Sequence, residues 1–339
     1  MELEPKHIHA PELYANFWLN SEPVSLRDHD GEVFLIDFWD YTCVNCIRTL
    51  PYLQEWQRKY AAFGLTVVGV HTPEFEFGSS PERVENALKN FKITYPVMLD
   101  NDALIWNAYA IRHWPTRCLV DRDGYIRFVQ HGEGGYVEFE RAIQQLLSEA
   151  GIHGELPALT APFREEDRAG AVCYRPTSEL YLGYLRGALG NPEGYNPEST
   201  LEYTDPGIYL PERFYANGKW MNERQCLRFD GNEGEDGAIL LPYQARDVNA
   251  VMGSRDGSLC EVTIQQNGQP LPGEISGEDI VRLPQKQTSI FVDIPRMYTV
   301  VHNKEFSSHL LKLMTSNPNL EIYSFSFTTS VIPELISTN

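Results

Sequence analysis

The stretch DFWDYTCVNCIRTLPYL, residues 37–53, constrains this chain more than any other. Two cysteines, Cys43 and Cys46, stand three apart. The β-rich apolar run EVFLIDFW (32–39) leads into them. A segment with Ile47, Leu50, Leu53, Trp56, Tyr60 and Phe63 at helical spacing follows. A strand that feeds directly into a helix leaves Cys43 near the helix N-terminus, where unpaired N–H groups and the positive end of the dipole stabilise a thiolate. Cys46, nearly one turn later on the same face, can then attack a mixed disulfide formed at Cys43 and release the product. Pro51 sits inside the helical pattern and predicts a kink away from the sulfurs.

Two other residues fit this redox reading. Asp37 lies within the apolar strand, six residues before Cys43. An acid there is costly unless it has a partner or a task, and a buried carboxyl could take the proton from Cys46. The alternative is an exposed aspartate at a strand end. Trp114-Pro115-Thr116 precedes the last hairpin of this half. A trans turn is the default for such a proline, whereas a cis bond would hold the Trp114 backbone beside the sulfurs, ready to pair with an extended substrate. The candidate substrate contacts are Trp114, Pro115, Trp39 and the dipeptide between the cysteines, Val44-Asn45. A structural zinc site commonly needs four ligands from paired motifs, and one CxxC does not supply them, so no metal is expected. The cysteines carry the electrons themselves, and no cofactor is expected.

The two halves of the chain have different patterns. In the first, LTVVGVH (65–71) reads as a buried strand and PERVENALKNF (81–91) as a helix opened by Ser80 and Pro81. YPVMLD (95–100) is strand-like and NDALIWNAYAI (101–111) helical. TRCLVDRDGYIRFVQHG (116–132) reads as a hairpin turning at Asp-Arg-Asp-Gly, and YVEFERAIQQLLSEAG (136–151) as an amphipathic helix. Alternating elements with a final hairpin predict a mixed sheet covered by helices. Residues 152–172 are rich in Pro, Gly and charge and read as a linker. From 173 to 339 helix signals are scarce. LCEVTIQQNGQPL carries an Asn267-Gly268 hairpin signal, and SIFVDI, MYTVVHN, HLLKLMT and EIYSFSFTT are strand candidates, so a β-sandwich is expected.

Composition narrows the function classes. The 339 residues suffice for about two domains. A formal net charge of −19 argues against a nucleic-acid surface and against docking on anionic lipid. No stretch approaches the ~18 apolar residues of a membrane helix, and the N-terminus lacks a secretory pattern. The expectation is a soluble, cytoplasmic chain without direct membrane insertion, or an extracytoplasmic one if it is part of a longer membrane protein. Six cysteines are too few for a disulfide scaffold of this length. Cys118, Cys173, Cys226 and Cys260 read as small buried hydrophobes, with a Cys226–Cys260 bridge as the alternative.

Together these residues resemble the thioredoxin superfamily: IDFW, the CxxC, and Pro-Thr before the closing hairpin. The inserted segment at about 74–94 and GVHTPEF, YPVMLDND, IWNAY, WPT and DRDGYIR are similar to its TlpA-like branch. More narrowly, the chain resembles the soluble portion of DipZ-type thiol–disulfide proteins, a thioredoxin-like domain (here 1–151) followed by a jelly roll like carbohydrate-binding modules (here 173–339). YRPTSELYLGYLRG (174–187) and HLLKLMTSNPNLEIYSFSFTT (309–329) carry the second part. The resemblance implies a cis Trp114–Pro115 bond, Cys43 as nucleophile, Cys46 as resolving thiol and Asp37 as buried acid. Three departures stand out. Val44-Asn45 replaces the Gly-Pro of thioredoxin itself. Residues 48–51 lack the glutamate many TlpA-like proteins carry. The membrane electron-transfer domain of DipZ proteins is not in this sequence, which leaves the electron source open.

The expected function is exchange of electrons with protein disulfides or dithiols, fed by an upstream donor protein. The alternative is a carbohydrate- or protein-binding module on a redox scaffold, in which Trp220, Tyr181, Tyr184, Tyr195, Tyr203 and Tyr209 could supply a sugar platform. A third role for the second domain is to present or shield the thiols. The acidic loop NEGEDG (232–237) could hold calcium but reads more simply as a solvated turn. Peroxidase relatives place a Thr-x-x-Cys motif here, and Thr42 directly abutting Cys43 does not fit it.

Overall fold

In the computed structural model, which describes residues 3–28 and 31–335, the chain divides into two units, Met1–Gly170 and Ala171–Asn339. The first is built on six strands, β1 (Trp18–Leu19), β2 (Val33–Trp39), β3 (Leu65–His71), β4 (Val97–Leu99), β5 (Thr116–Val120) and β6 (Ile126–His131). Their spatial order is β1-β4-β3-β2-β5-β6. β2, β3 and β4 run parallel, while β5 is antiparallel to β2 and forms a hairpin with β6. Parallel neighbours need crossovers, supplied by α1 (Val44–Tyr60) and α2 (Pro81–Phe91). α3 (Leu104–Ala108) and α4 (Tyr136–Glu149) complete the unit.

The central strands are buried on both faces, which is why they read as nearly unbroken apolar runs. Val33, Leu35 and Trp39 pack with Leu53 and Trp56 of α1 and with Phe139 and Ile143 of α4. Phe34, Ile36 and Phe38 point the other way, onto Val70, Met98 and Ile105. Alternation therefore puts Asp37 on the α1/α4 face.

Local signals explain most boundaries. α1 runs unbroken through Pro51. Ser80 accepts from the Arg83 amide and Pro81 opens α2. In the β5–β6 turn Asp121 accepts from the amides of Asp123 and Tyr125, and Gly124 adopts φ 82°. α3 is shorter than the helix expected over 101–111. The Asp100 carboxylate accepts from the amides of Ile105 and Trp106, and Ala103 is left-handed at φ 53°, so the chain turns before it can coil.

Residues 157–168, expected within a linker, lie against α1 and α4 of the first unit. Lys59 donates to the Ala158 carbonyl and to Thr160, and the Thr160 amide to Glu140. Tyr52 accepts from the Phe163 amide at 2.9 Å and donates to Asp167 at 2.8 Å. Arg48 pairs with Glu133 and Glu166, and Arg164 with Glu133 and Asp167. The charges that made this stretch look solvated are partners for α1. Tyr52→Phe leaves the Phe163 amide and Asp167 without that hydroxyl. It should cost about 1–3 kcal/mol and speed amide exchange at Phe163, and unchanged exchange would show that other contacts hold the segment.

The second unit has no α-helix among its described residues. Its strands are β7 (Leu180–Tyr181), β8 (Thr200–Tyr203), β9 (Tyr215–Asn222), β10 (Leu227–Phe229), β11 (Gly237–Ser254), β12 (Cys260–Gln266), β13 (Gln269–Pro270), β14 (Val281–Arg282), β15 (Thr288–Val292), β16 (Arg296–Thr315) and β17 (Leu320–Thr328). They form one hydrogen-bonded network of eleven strands, mainly in the order β14-β15-β12-β16-β11-β17-β10-β9-β8. Asn267 and Gly268 turn β12 into β13 with φ 53° and 74°, the left-handed pair a tight hairpin requires. MYTVVHN and HLLKLMT, expected as two strands, are one, β16. It stays paired to β11 across register shifts between Ala245 and Asp247 and between Val248 and Asn249, irregularities that bend a strand and add twist. Ile239, Leu241, Val262, Ile264, Trp220 and Phe325 are in its main core.

Candidate active site

The end of β2 delivers the chain into a buried turn. Asp40 organises it. One carboxylate oxygen accepts from the Thr42 amide at 2.7 Å and from the Thr42 hydroxyl, and the other from the Glu74 amide at 3.1 Å. His71 Nε2 lies 3.4 Å from the second oxygen. Burial pushes the Asp40 carboxyl up, and those donors pull it back. Burial alone holds His71 low, near 3, so the imidazole is neutral.

Cys43 is the N-cap of α1, and its sulfur accepts from the Cys46 amide at 3.1 Å. Cys43 and Cys46 are paired as a disulfide with Cα atoms 5.2 Å apart. Cys43 is 9% exposed and Cys46 1%, so Cys43 is the more accessible of the two. The other four cysteines are free, Cys226 and Cys260 included.

Asp37 is 1% exposed, and Oδ1 has no hydrogen-bond partner among the described residues. Burial raises its carboxyl to about 7, with Arg117 opposing. Its β3 neighbour is Gly69, where a Cβ would come within 3.0 Å of Trp39 Nε1 and 3.4 Å of Tyr95. Those rings fill the space a side chain at Gly69 would take.

The Trp114–Pro115 bond is cis. Thr116 pairs with Phe38, so Pro115 stands at the same sheet end from which β2 leads to Cys43. Trp114 is half-buried against the cluster that contains both cysteines, donates to the Thr72 carbonyl at 3.1 Å and lies 4.3 Å from the Trp106 ring. Val44 is nearly buried and Asn45 exposed. Trp39, expected among the substrate contacts, has no exposed surface. Alternation turns it inward with Val33 and Leu35, where it meets His71 edge-on at 5.4 Å.

Asp40, His71 and Arg117 were not among the expected residues. The signal used for Asp37, a charge inside an apolar strand, applies equally to Arg117 in TRCLVD. Asp40 follows β2 and His71 ends β3, two strands that only the fold brings side by side.

Elsewhere, the aromatic residues considered for a sugar platform differ in burial and in their partners. Trp220 and Tyr203 are core residues at 1% and 2% exposure. The Tyr195 hydroxyl is taken by the Leu182 carbonyl, those of Tyr184 and Tyr209 by Glu198 and Asp205, and Arg186 covers the Tyr181 ring. In the acidic loop, Glu235 is held by Lys219 and Asn232. Glu223, Cys226 and Glu321 come within 4.8 Å of one another, but Arg228, Arg255 and Tyr323 already engage the carboxylates. That group is an ion-pair cluster.

Family models match both units, the AhpC/TSA family over residues 9–129 and a thioredoxin-like C-terminal domain over 177–328. The chain belongs to the thioredoxin superfamily. Protein DipZ of Mycobacterium bovis is 33% identical over 315 residues, covering 91% of this chain and 41% of that protein. The thioredoxin-superfamily chain thus spans less than half the length of this relative. The thiol-disulfide oxidoreductase YkuV of Bacillus subtilis is 29% identical over 132 residues, 39% of this chain and 88% of that one. A crystal structure of a thiol-disulfide isomerase from Corynebacterium glutamicum is 26% identical, with a TM-score of 0.38, over 41% of this chain and 97% of that one. No described helix of this superfamily member is long and apolar enough to cross a membrane.

Proposed function

We propose that this chain is a thiol–disulfide oxidoreductase that exchanges electrons with protein disulfides through Cys43 and Cys46. The observation that carries the reading is the cysteine pair at the N-terminus of α1, with Cys46 the more deeply buried of the two and a buried acid, Asp37, on the strand that leads into them. In the reducing direction the Cys43 thiolate attacks a substrate disulfide, forms a mixed disulfide and expels one substrate thiolate. Cys46 then gives its proton to the Asp37 carboxylate and attacks the Cys43 sulfur. The Cys43–substrate bond breaks, the second substrate sulfur leaves and takes up a proton, and the substrate has gained two electrons. Trp114, Pro115, Val44 and Asn45 are the proposed substrate contacts around Cys43. An upstream donor then returns the pair to the dithiol.

Cys46→Ser tests the sequence of steps. It should accumulate a covalent adduct between Cys43 and an oxidised model protein such as insulin, reversible by dithiothreitol and visible by mass. No adduct, or one formed at another cysteine, would refute the assignment. The direction of flow follows from the reduction potential of the pair. A value near ~−270 mV marks a reductant and one near ~−120 mV an oxidant.

A further inference from the structure

Asp37 has a neighbour that the cycle above does not use. β2 and β5 pair with Asp37 directly opposite Arg117, and opposed residues share one face of a sheet. Both are buried, at 1% and 0% exposure. Among the described residues, Asp37 Oδ1 and Arg117 Nε and Nη1 have no hydrogen-bond partner. Arg117 is held from behind. Nη2 donates to the carbonyls of Gly132 at 3.3 Å and Gly134 at 2.6 Å, and the guanidinium lies 5.0 Å from the rings of Tyr136 and Phe139. A buried guanidinium without an anion is strongly unfavourable. Glu133, on the far side, is already engaged by Arg48 and Arg164. Asp37 is the carboxylate left to serve Arg117.

We propose that Arg117 is a positioning residue of the redox centre, whose charge opposite Asp37 keeps that carboxyl able to accept and return the proton of Cys46. The inference rests on the proposed role of Asp37 as proton acceptor. The groups around the acid are few. β5 brings Arg117 and, on its other face, Cys118. The turn before β4 brings Tyr95, and Cys46 of α1 belongs to the core cluster on the same face of the sheet. Behind Arg117 stand Tyr136 of α4 and Glu133. Burial pushes the Tyr95 phenol far up and Cys118 to about 12, so both stay neutral. Arg117 is then the one charge opposing the effect of burial on Asp37. Without it, the acid would remain protonated through the neutral range, where it could donate but not accept.

The test is the pH titration of the Asp37 carboxyl carbon by NMR, on the full oxidised chain, in wild type, R117M and R117K. R117M should raise the midpoint by at least about one pH unit, a roughly tenfold lower ionised fraction at a given pH below it. R117K, which keeps the charge, should shift it by less than half as much. An unmoved or lowered midpoint in R117M, or an equal shift in R117K, overturns the proposal. If R117M does not fold, the double variant R117M/D37N should fold, since neither buried charge is left. A double variant that also fails to fold makes the arginine a packing residue and overturns the proposal. Loss of the functional reading itself would appear separately, as absence of the Cys43 adduct, and leaves the titration readable.

Discussion

Cys43→Ser is expected to lower reduction of a protein disulfide by about 10⁴-fold or more. A serine hydroxyl is not ionised near neutral pH and forms no mixed disulfide. Cys46 cannot stand in, because at 1% exposure its sulfur meets no substrate. The fold should be nearly indifferent. The lost bond joins residues three apart, and closing so short a loop removes little freedom from the unfolded chain. The measurement is insulin reduction at matched protein concentration, with thermal unfolding alongside. A variant that keeps a tenth of the activity would move the chemistry to another residue.

Asp37→Asn should have opposite effects on stability and on turnover. The folded protein holds the Asp37 proton up to about pH 7, against 3.8 ordinarily. Between those values the native state binds a proton that the unfolded chain releases, so stability falls as pH rises through that window. The favourable difference is complete below 3.8 and gone above about 7. At pH 8 the buried carboxylate therefore costs the fold about 4 kcal/mol. Asparagine removes that cost, which is already net of the favourable Arg117 charge, and the oxidised variant should gain up to that amount at pH 8 and almost nothing at pH 4. Resolution of the mixed disulfide should slow by about 10²–10⁴-fold, and its rise in rate with pH around 7 should disappear. Denaturant titrations at the two pH values and stopped-flow resolution kinetics read these effects. Equal stability of variant and wild type at pH 8 would mean that Asp37 is not a strained acid.

Much of this arrangement was legible in local sequence. The apolar run broken by Asp37, the cysteines at a strand-to-helix passage, Ser80-Pro81 and Asn267-Gly268 each act within a few residues, and each does what its chemistry requires. What stayed hidden depends on partners far along the chain. Arg117 acquires meaning only through a register that sets it against a residue eighty positions away. The period of two puts Trp39 on the face of Asp37, but nothing local says that face is sealed. Trp220 and Tyr203 could be platform or core by composition, and the closing of β9 over the main cluster decides for core. α3 is shorter than its pattern predicts because the Asp100 side chain takes amides that backbone carbonyls would otherwise claim.

The stretch over α1 bears on how such proteins can be rearranged. Residues 157–168 contribute Asp167, Glu166 and Thr160 to the first unit. Gene fusions, domain swaps and designed chimeras that cut after the last helix would strip Tyr52 and Arg48 of their partners. The workable seam lies about twenty residues later, close to Gly170. Insertions there should be tolerated in length and composition, and a redox module meant to travel alone must carry this tail with it.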